Sequence, residues 1–175
     1  MTTLATRLSQ IVIFGLGGQG ILFVTKLLAG AATIEGQDVI VSETHGMSQR
    51  GGAVESHVKI GGFSGALVRR GRADATIAID PSRIGAALSF LRPGGRCFAS
   101  SPVPVDGVRV FDAAALAREI GASRAANIAL VGFASAAAPE LFPRRESILA
   151  AIDMFSPPKA VESNRQAFLK GMERV

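Results

Sequence analysis

At 175 residues the chain is long enough for one domain with a sizeable core, and 48% hydrophobic against 19% charged residues is a globular balance, not a disordered one. The net charge of +5 favours anionic ligands such as phosphates, while the lack of tyrosine, tryptophan and any basic block argues against nucleic acid. One cysteine, Cys97, excludes an internal disulfide and an iron–sulfur cluster ligated by this chain alone, which needs about four thiolates.

The first ten residues, MTTLATRLSQ, hold no apolar core of the secretory type, and residues 1–9 are expected to be a flexible lead. Residues 10–15, QIVIFG, then read as a short strand buried on both faces. The turn Gly15-Leu16-Gly17-Gly18-Gln19-Gly20 follows at once, and apolar residues at helical spacing (Ile21, Val24, Leu27, Leu28, Ala31) predict a helix ending near Gly36. Residues 37–41 are a second buried strand, which completes a right-handed βαβ unit.

After the dense polar stretch 42–52, SETHGMSQRGG, the period changes to two. Val54, Ser56, Val58 and Ile60 alternate with Glu55, His57 and Lys59, which predicts a strand with one wet face. A turn at 61–65 leads to 66–69 as its hairpin partner, an antiparallel addition to the sheet. Parallel character resumes at 75–80, followed by a helix over 81–91 and strands at 96–100 and Val108–Phe111. Asp112 is placed to cap a helix over 113–120. A small-residue helix at 125–138 and amphipathic helices at 144–155 and 160–172 complete a single domain, with 102–107 as an exposed loop. The fold class is α/β, Rossmann-like and three-layered, with a mostly parallel, mixed sheet.

The mean hydropathy of +0.34 implies burial on more than one face, by a sheet covered on both sides and by docking onto a partner. No run reaches the ~18 apolar residues of a membrane span, since 125–138 is broken by Asn127 and Ser135 and stopped by Pro139. A cytoplasmic protein is expected. The histidines, His45 and His57, lack the HxxxH spacing of a zinc site.

Gly15, Gly17 and Gly20 spell GxGxxG after a strand and before a helix, with the acid Glu43 near the end of the second strand. Glycine lets the backbone turn sharply and approach a phosphate, and the helix amides favour the anion. Three readings are open on this motif: a nicotinamide dinucleotide site, another phosphate-bearing ligand, or a turn that only packs helix on strand.

Taken together, GLGGQG at 15–20, HGMSQRGG at 45–52 and the helix carrying Asn127 resemble the gamma-type domain of the 2-oxoacid:acceptor oxidoreductases, the pyruvate:ferredoxin oxidoreductase superfamily. Within it the HGMSQRGG form is most similar to the beta subunit of indolepyruvate:ferredoxin oxidoreductases. The resemblance implies a subunit that is inactive alone. Such complexes convert a 2-oxoacid and coenzyme A to an acyl-CoA and carbon dioxide and pass electrons to ferredoxin. Thiamine diphosphate with magnesium and [4Fe-4S] clusters is expected in a larger alpha subunit, because this chain has neither a GDG…N segment nor enough cysteines.

The resemblance also implies roles. Gly17, Gly18, Gln19 and Gly20 form the turn that faces a coenzyme A phosphate, with Arg50 as the cation and Glu43, Gly46 and Gln49 shaping the same rim. His45 is assigned to scaffold its loop, with a catalytic role, holding the 2-oxoacid carboxylate or a proton beside the partner's thiamine cofactor, as the alternative. Asn127 is expected to bridge a neighbouring loop, Met47 to make an interface or core contact, and Cys97 to sit in the core. Asp80 receives no role, because Ile79-Asp80-Pro81-Ser82 departs from the family's acid–Pro–hydrophobic pattern.

Overall fold

The computed structural model describes residues 7–45 and 51–175, with His45 described by its backbone only. The chain opens with β1 (Ser9–Leu16), whose Ile11, Val12, Ile13 and Phe14 are all fully buried. Helix α1 spans Ile21–Ile34 and stops where Gly36 N–H donates to Thr33 O and Gln37 N–H to Ala32 O, a Schellman closure. It is followed by β2 (Val39–His45), β3 (Ala53–Ile60), β4 (Ala73–Ala78), α2 (Ile84–Phe90), β5 (Leu91–Ser100) and β6 (Val108–Phe111). Four helices then complete the chain: α3 (Ala113–Glu119), α4 (Ala126–Ala137), α5 (Arg145–Phe155) and α6 (Val161–Met172). Asp112 caps α3 as expected, accepting from Ala115 N–H at 2.8 Å.

The six strands form one mixed sheet in the order β2-β3-β1-β4-β5-β6. β1, β4, β5 and β6 run parallel, and β3 is antiparallel to both β1 and β2. The larger core lies on the face covered by α1, α3, α4 and α5, with α6 packed outside α4. The smaller core, with Phe14, Phe90 and Cys97, lies on the opposite face under α2.

Two expectations are corrected here. β3 is inserted between β1 and β2, so the βαβ unit is split by an antiparallel strand and the hairpin is β2–β3. Residues 66–69 form no strand. The face of β3 that reads as wet is covered by the connection between β3 and β4: Val68 N–H donates to His57 Nδ1 at 3.2 Å, and Lys59 lies over the Phe63 ring. His57 is 2% exposed and Lys59 7%. Histidine and lysine carry enough apolar surface to be buried once their polar tips are met, which is why alternation alone misreads this strand.

Within the expected lead, Ser9 is buried in β1 and Arg7 Nη1 donates to Glu35 Oε2 at 2.7 Å, so these two residues are held by the fold. Residues 1–6 lie outside the described residues.

Candidate functional site

The chain winds away from the β1–β4 boundary in two directions. The α1 connection leads to β2 and β3 on one side, and α2 leads to β5 and β6 on the other, with the two helices on opposite faces. Open α/β sheets leave a crevice beyond the carboxyl ends of the strands at such a point. The glycine turn sits there. Gly18 has φ of 92° and Gly20, the residue before α1, has φ of 76°, a region that glycine enters without a Cβ penalty.

Three contacts fix this turn. Gly17 N–H donates to Gly52 O at 2.9 Å, so the end of the 42–52 stretch packs directly on it. Asn127, in the first turn of α4, donates Nδ2 to Gln19 O at 3.2 Å and to Gly20 O at 3.3 Å. Any Cβ at Gly20 would collide with that amide. Gln19 runs back beneath the turn: its Oε1 accepts from Leu16 N–H at 2.8 Å and its Nε2 donates to Asp80 Oδ2 at 2.7 Å. Asp80 Oδ1 accepts from Ser82 N–H at 3.0 Å and Ser82 Oγ at 2.6 Å. Burial works to raise the Asp80 pKa, but the hydrogen bonds from Ser82 and Gln19 outweigh it and hold the carboxyl below its ordinary value.

Before the turn opens a cleft of about 620 Å³, lined among others by Gly18, Ile79, Ser100, Arg124 and Asn127. A Cβ at Gly18 would meet nothing within 4 Å, so a ligand can reach the backbone there. Among the described residues of the lining Arg124 is the cation, and it is solvent-exposed. Turn amides, the positive end of α1 and a guanidinium together suit an anion such as a phosphate. Among the described residues no cluster of His, Cys, Asp or Glu is arranged to hold a metal ion.

The structure thus brings Gly17, Gly18, Gln19, Gly20 and Asn127 together, with Asn127 bridging the loop as expected. Glu43 is elsewhere. It lies on edge strand β2 and lines a separate hollow with Lys26, Val41 and Phe155. Gly46, Met47, Gln49, Arg50 and the side chain of His45 lie outside the described residues. Sequence reading missed Arg124 and Asp80. Asp-Pro-Ser after a central strand is an N-terminal capping signal at the sheet's carboxyl end, and it points to Asp80. Nothing local singles out Arg124, which reaches the cleft only through the α3–α4 turn.

Residues 10–174 match the family described as pyruvate ferredoxin/flavodoxin oxidoreductase. The chain is 34% identical over 191 aligned positions to the Thermococcus kodakarensis protein named indolepyruvate oxidoreductase subunit IorB, covering 94% of each chain. Its structure resembles the gamma subunit of a keto/oxoacid ferredoxin oxidoreductase from Geobacter sulfurreducens, with a TM-score of 0.75, 28% identity, and 94% and 96% of the two chains covered. The fold is also that of the pyruvate oxidoreductase subunit PORC of Thermotoga maritima, at a TM-score of 0.79, 22% identity, and 95% and 96% coverage.

Proposed function

The chain belongs to the pyruvate ferredoxin/flavodoxin oxidoreductase family, and from that premise we propose that it is the small, thiamine-free subunit of a cytoplasmic 2-oxoacid:ferredoxin oxidoreductase. Its preferred substrates are arylpyruvates such as indolepyruvate. The complex converts the 2-oxoacid and coenzyme A to the aryl-acetyl-CoA and carbon dioxide, and two electrons leave to two oxidised ferredoxins. The observation that carries this reading is the 34% identity to a protein named as an indolepyruvate oxidoreductase subunit, spread over 94% of both chains.

Chemistry on this chain divides the labour. Cys97 is its one cysteine, 1% exposed inside β5, so an iron–sulfur cluster does not fit here. The sequence carries no GDG…N segment of the kind that holds the magnesium of thiamine diphosphate. Both groups belong to a larger partner subunit. The lining suits coenzyme A: its phosphates would be held by the open backbone at Gly18, the amides that begin α1, and Arg124. When bound, coenzyme A supplies the thiol that accepts the acyl group. The residues of this chain would hold its phosphates.

A nicotinamide dinucleotide is the weaker reading. It needs an acid beside the glycine turn for the ribose, and β3 separates Glu43 from β1.

The test is coexpression with a thiamine-binding partner, copurification, and dye reduction with indolepyruvate, phenylpyruvate, pyruvate and 2-oxoglutarate, with and without coenzyme A. Coenzyme A-dependent reduction that favours the aryl substrates is the expected result. Turnover by the isolated chain with a nicotinamide cofactor refutes the proposal, as does copurified complex that reduces dye with no 2-oxoacid.

A further inference from the structure

We propose that Asp80 is a positioning residue for the ligand-binding turn, acting through the side chain of Gln19. The inference rests on the reading that the crevice takes coenzyme A. Gln19 is the turn residue whose side chain lies beneath the loop, and Gly15 makes room for it: a Cβ there would lie 2.9 Å from Gln19 Oε1. Its amide joins Leu16, at the end of β1, to Asp80, two residues beyond β4. These are the two strands between which the crevice opens. The turn is therefore braced from below by the Gln19 side chain and from the α4 side by Asn127.

The brace has a fixed polarity, and Asp80 sets it. A carboxylate only accepts. Because Oδ2 faces Gln19, the amide must present Nε2 to Asp80 and Oε1 to Leu16 N–H. Oδ1 is engaged by Ser82 N–H and Oγ. Both oxygens are thus in use, and asparagine offers only one acceptor. In Asp80→Asn either Ser82 N–H or Gln19 Nε2 faces a donor. If the Gln19 amide flips in response, Leu16 N–H faces a donor instead. The strut fails, and the amides of Gly18 and Gly20 lose their fixed aim at the ligand.

The same logic specifies a rescue. In Gln19→Glu with Asp80→Asn, the new carboxylate accepts from Leu16 N–H and from Asn Nδ2, while Asn Oδ1 accepts from Ser82 N–H. Every donor again meets an acceptor, the net charge is unchanged, and the polarity of the strut is reversed.

The experiment uses the assembled complex and titrates coenzyme A at saturating 2-oxoacid. Asp80→Asn is expected to raise KM for coenzyme A about tenfold, the scale of one hydrogen bond to a charged group, with kcat little changed. The double variant is expected to restore most of that loss. Should Asp80→Asn fail to assemble, Gln19→Ala breaks the strut from its other end and is expected to raise the same KM. An unchanged KM in either single variant overturns the inference. So does a loss confined to kcat that the double variant does not restore, which would mean that the Asp80 charge acts on the reaction itself. The wild-type titration separates the two levels. A wild-type complex whose rate ignores coenzyme A refutes the reading of the crevice, whereas saturable wild-type kinetics with unshifted variants refute only the role of Asp80.

Discussion

Alanine at Gly20 imposes two separable penalties on the glycine turn. The first is conformational: φ is 76°, and an L-residue in that region costs roughly 1–2 kcal/mol. The second is steric, because the new Cβ falls on Asn127 Nδ2 and must displace the amide from Gln19 O and Gly20 O. At about 1 kcal/mol for each hydrogen bond, that adds about 2 kcal/mol. The sum, about 3–4 kcal/mol, corresponds to a fall in Tm of roughly 10 °C for a chain of this length. Gly18 supplies the control. Its φ is 92° but a Cβ there meets nothing, so Gly18→Ala is expected to cost only the conformational part, about 1–2 kcal/mol. Asn127→Ala supplies the cycle. If displacement of Asn127 is the second penalty, removing that side chain from the Gly20→Ala protein costs almost nothing further, and the coupling is about 2 kcal/mol. Thermal unfolding of the four proteins by circular dichroism measures it. Additive effects of Gly20→Ala and Asn127→Ala, or equal losses at Gly18 and Gly20, refute the reasoning.

Arg124→Ala should raise KM for coenzyme A in the complex about tenfold, as expected for one charged phosphate contact. The melting temperature should barely move, because the side chain is exposed; an unchanged KM removes Arg124 from the site. Gly171→Ala puts a Cβ on the Ala129 carbonyl where α6 meets α4, so denaturant titration should show a loss of about 3 kcal/mol. His57 gives a pH dependence. Burial pushes its pKa down more than Glu55 pulls it up, and Lys59 adds to the depression. The unfolded chain takes up this proton near pH 6.5 and the folded chain only at lower pH, so stability falls as pH drops below about 6.5, by at most about 1.4 kcal/mol per pH unit. His57→Gln keeps an acceptor for Val68 N–H and should flatten that limb. Glu35 and Asp80 are both depressed below their ordinary values of 4.5 and 3.8, so their contributions are lost only at still lower pH and do not obscure the window.

Most of the scaffold was legible because its residues have one use each. The run Ile11 to Phe14 is apolar on both faces and can only be a central strand. The stripe from Ile21 to Ala31 ends at a glycine that closes a Schellman motif, and the expected helix is the observed one. What the sequence concealed depended on residues with two uses. Glu55, His57 and Lys59 alternate like a solvent face, yet His57 and Lys59 meet partners in a segment with no regular structure, and Glu55 lies against His57. His57 Nδ1 accepts from Val68, while Nε2 lies 3.0 Å from Glu55 Oε1 but off the line of a good hydrogen bond. No period in the sequence encodes that cover, and without it the strand order cannot be read. Asp80 received no role because Ile79–Ser82 departs from the family's pattern, and its partner Gln19, 61 positions away, is visible only in the fold.

The inserted strand also explains how Gly51 and Gly52, at the end of the 42–52 stretch, come to lie against the glycine turn. In an uninterrupted βαβ unit the residues after β2 would start a crossover and leave the crevice. Here the chain reverses, and β3 returns beside β1 in a register that sets Ala53 against Leu16 and Val54 against Gly15. That register carries Gly52 onto Gly17, where its carbonyl takes the turn's N–H and a Cβ on Gly17 would sit 3.3 Å from Gly51 N. Gly17 therefore serves approach between two backbones, whereas Gly51, whose Cβ would meet nothing, serves the left-handed φ of 72°. The insertion of β3 puts Glu43 at the sheet edge and at the same time ties the end of the polar stretch to the glycine turn. One topological change thus weakens the dinucleotide reading and supports a rim shared by two loops, which a partner subunit can complete.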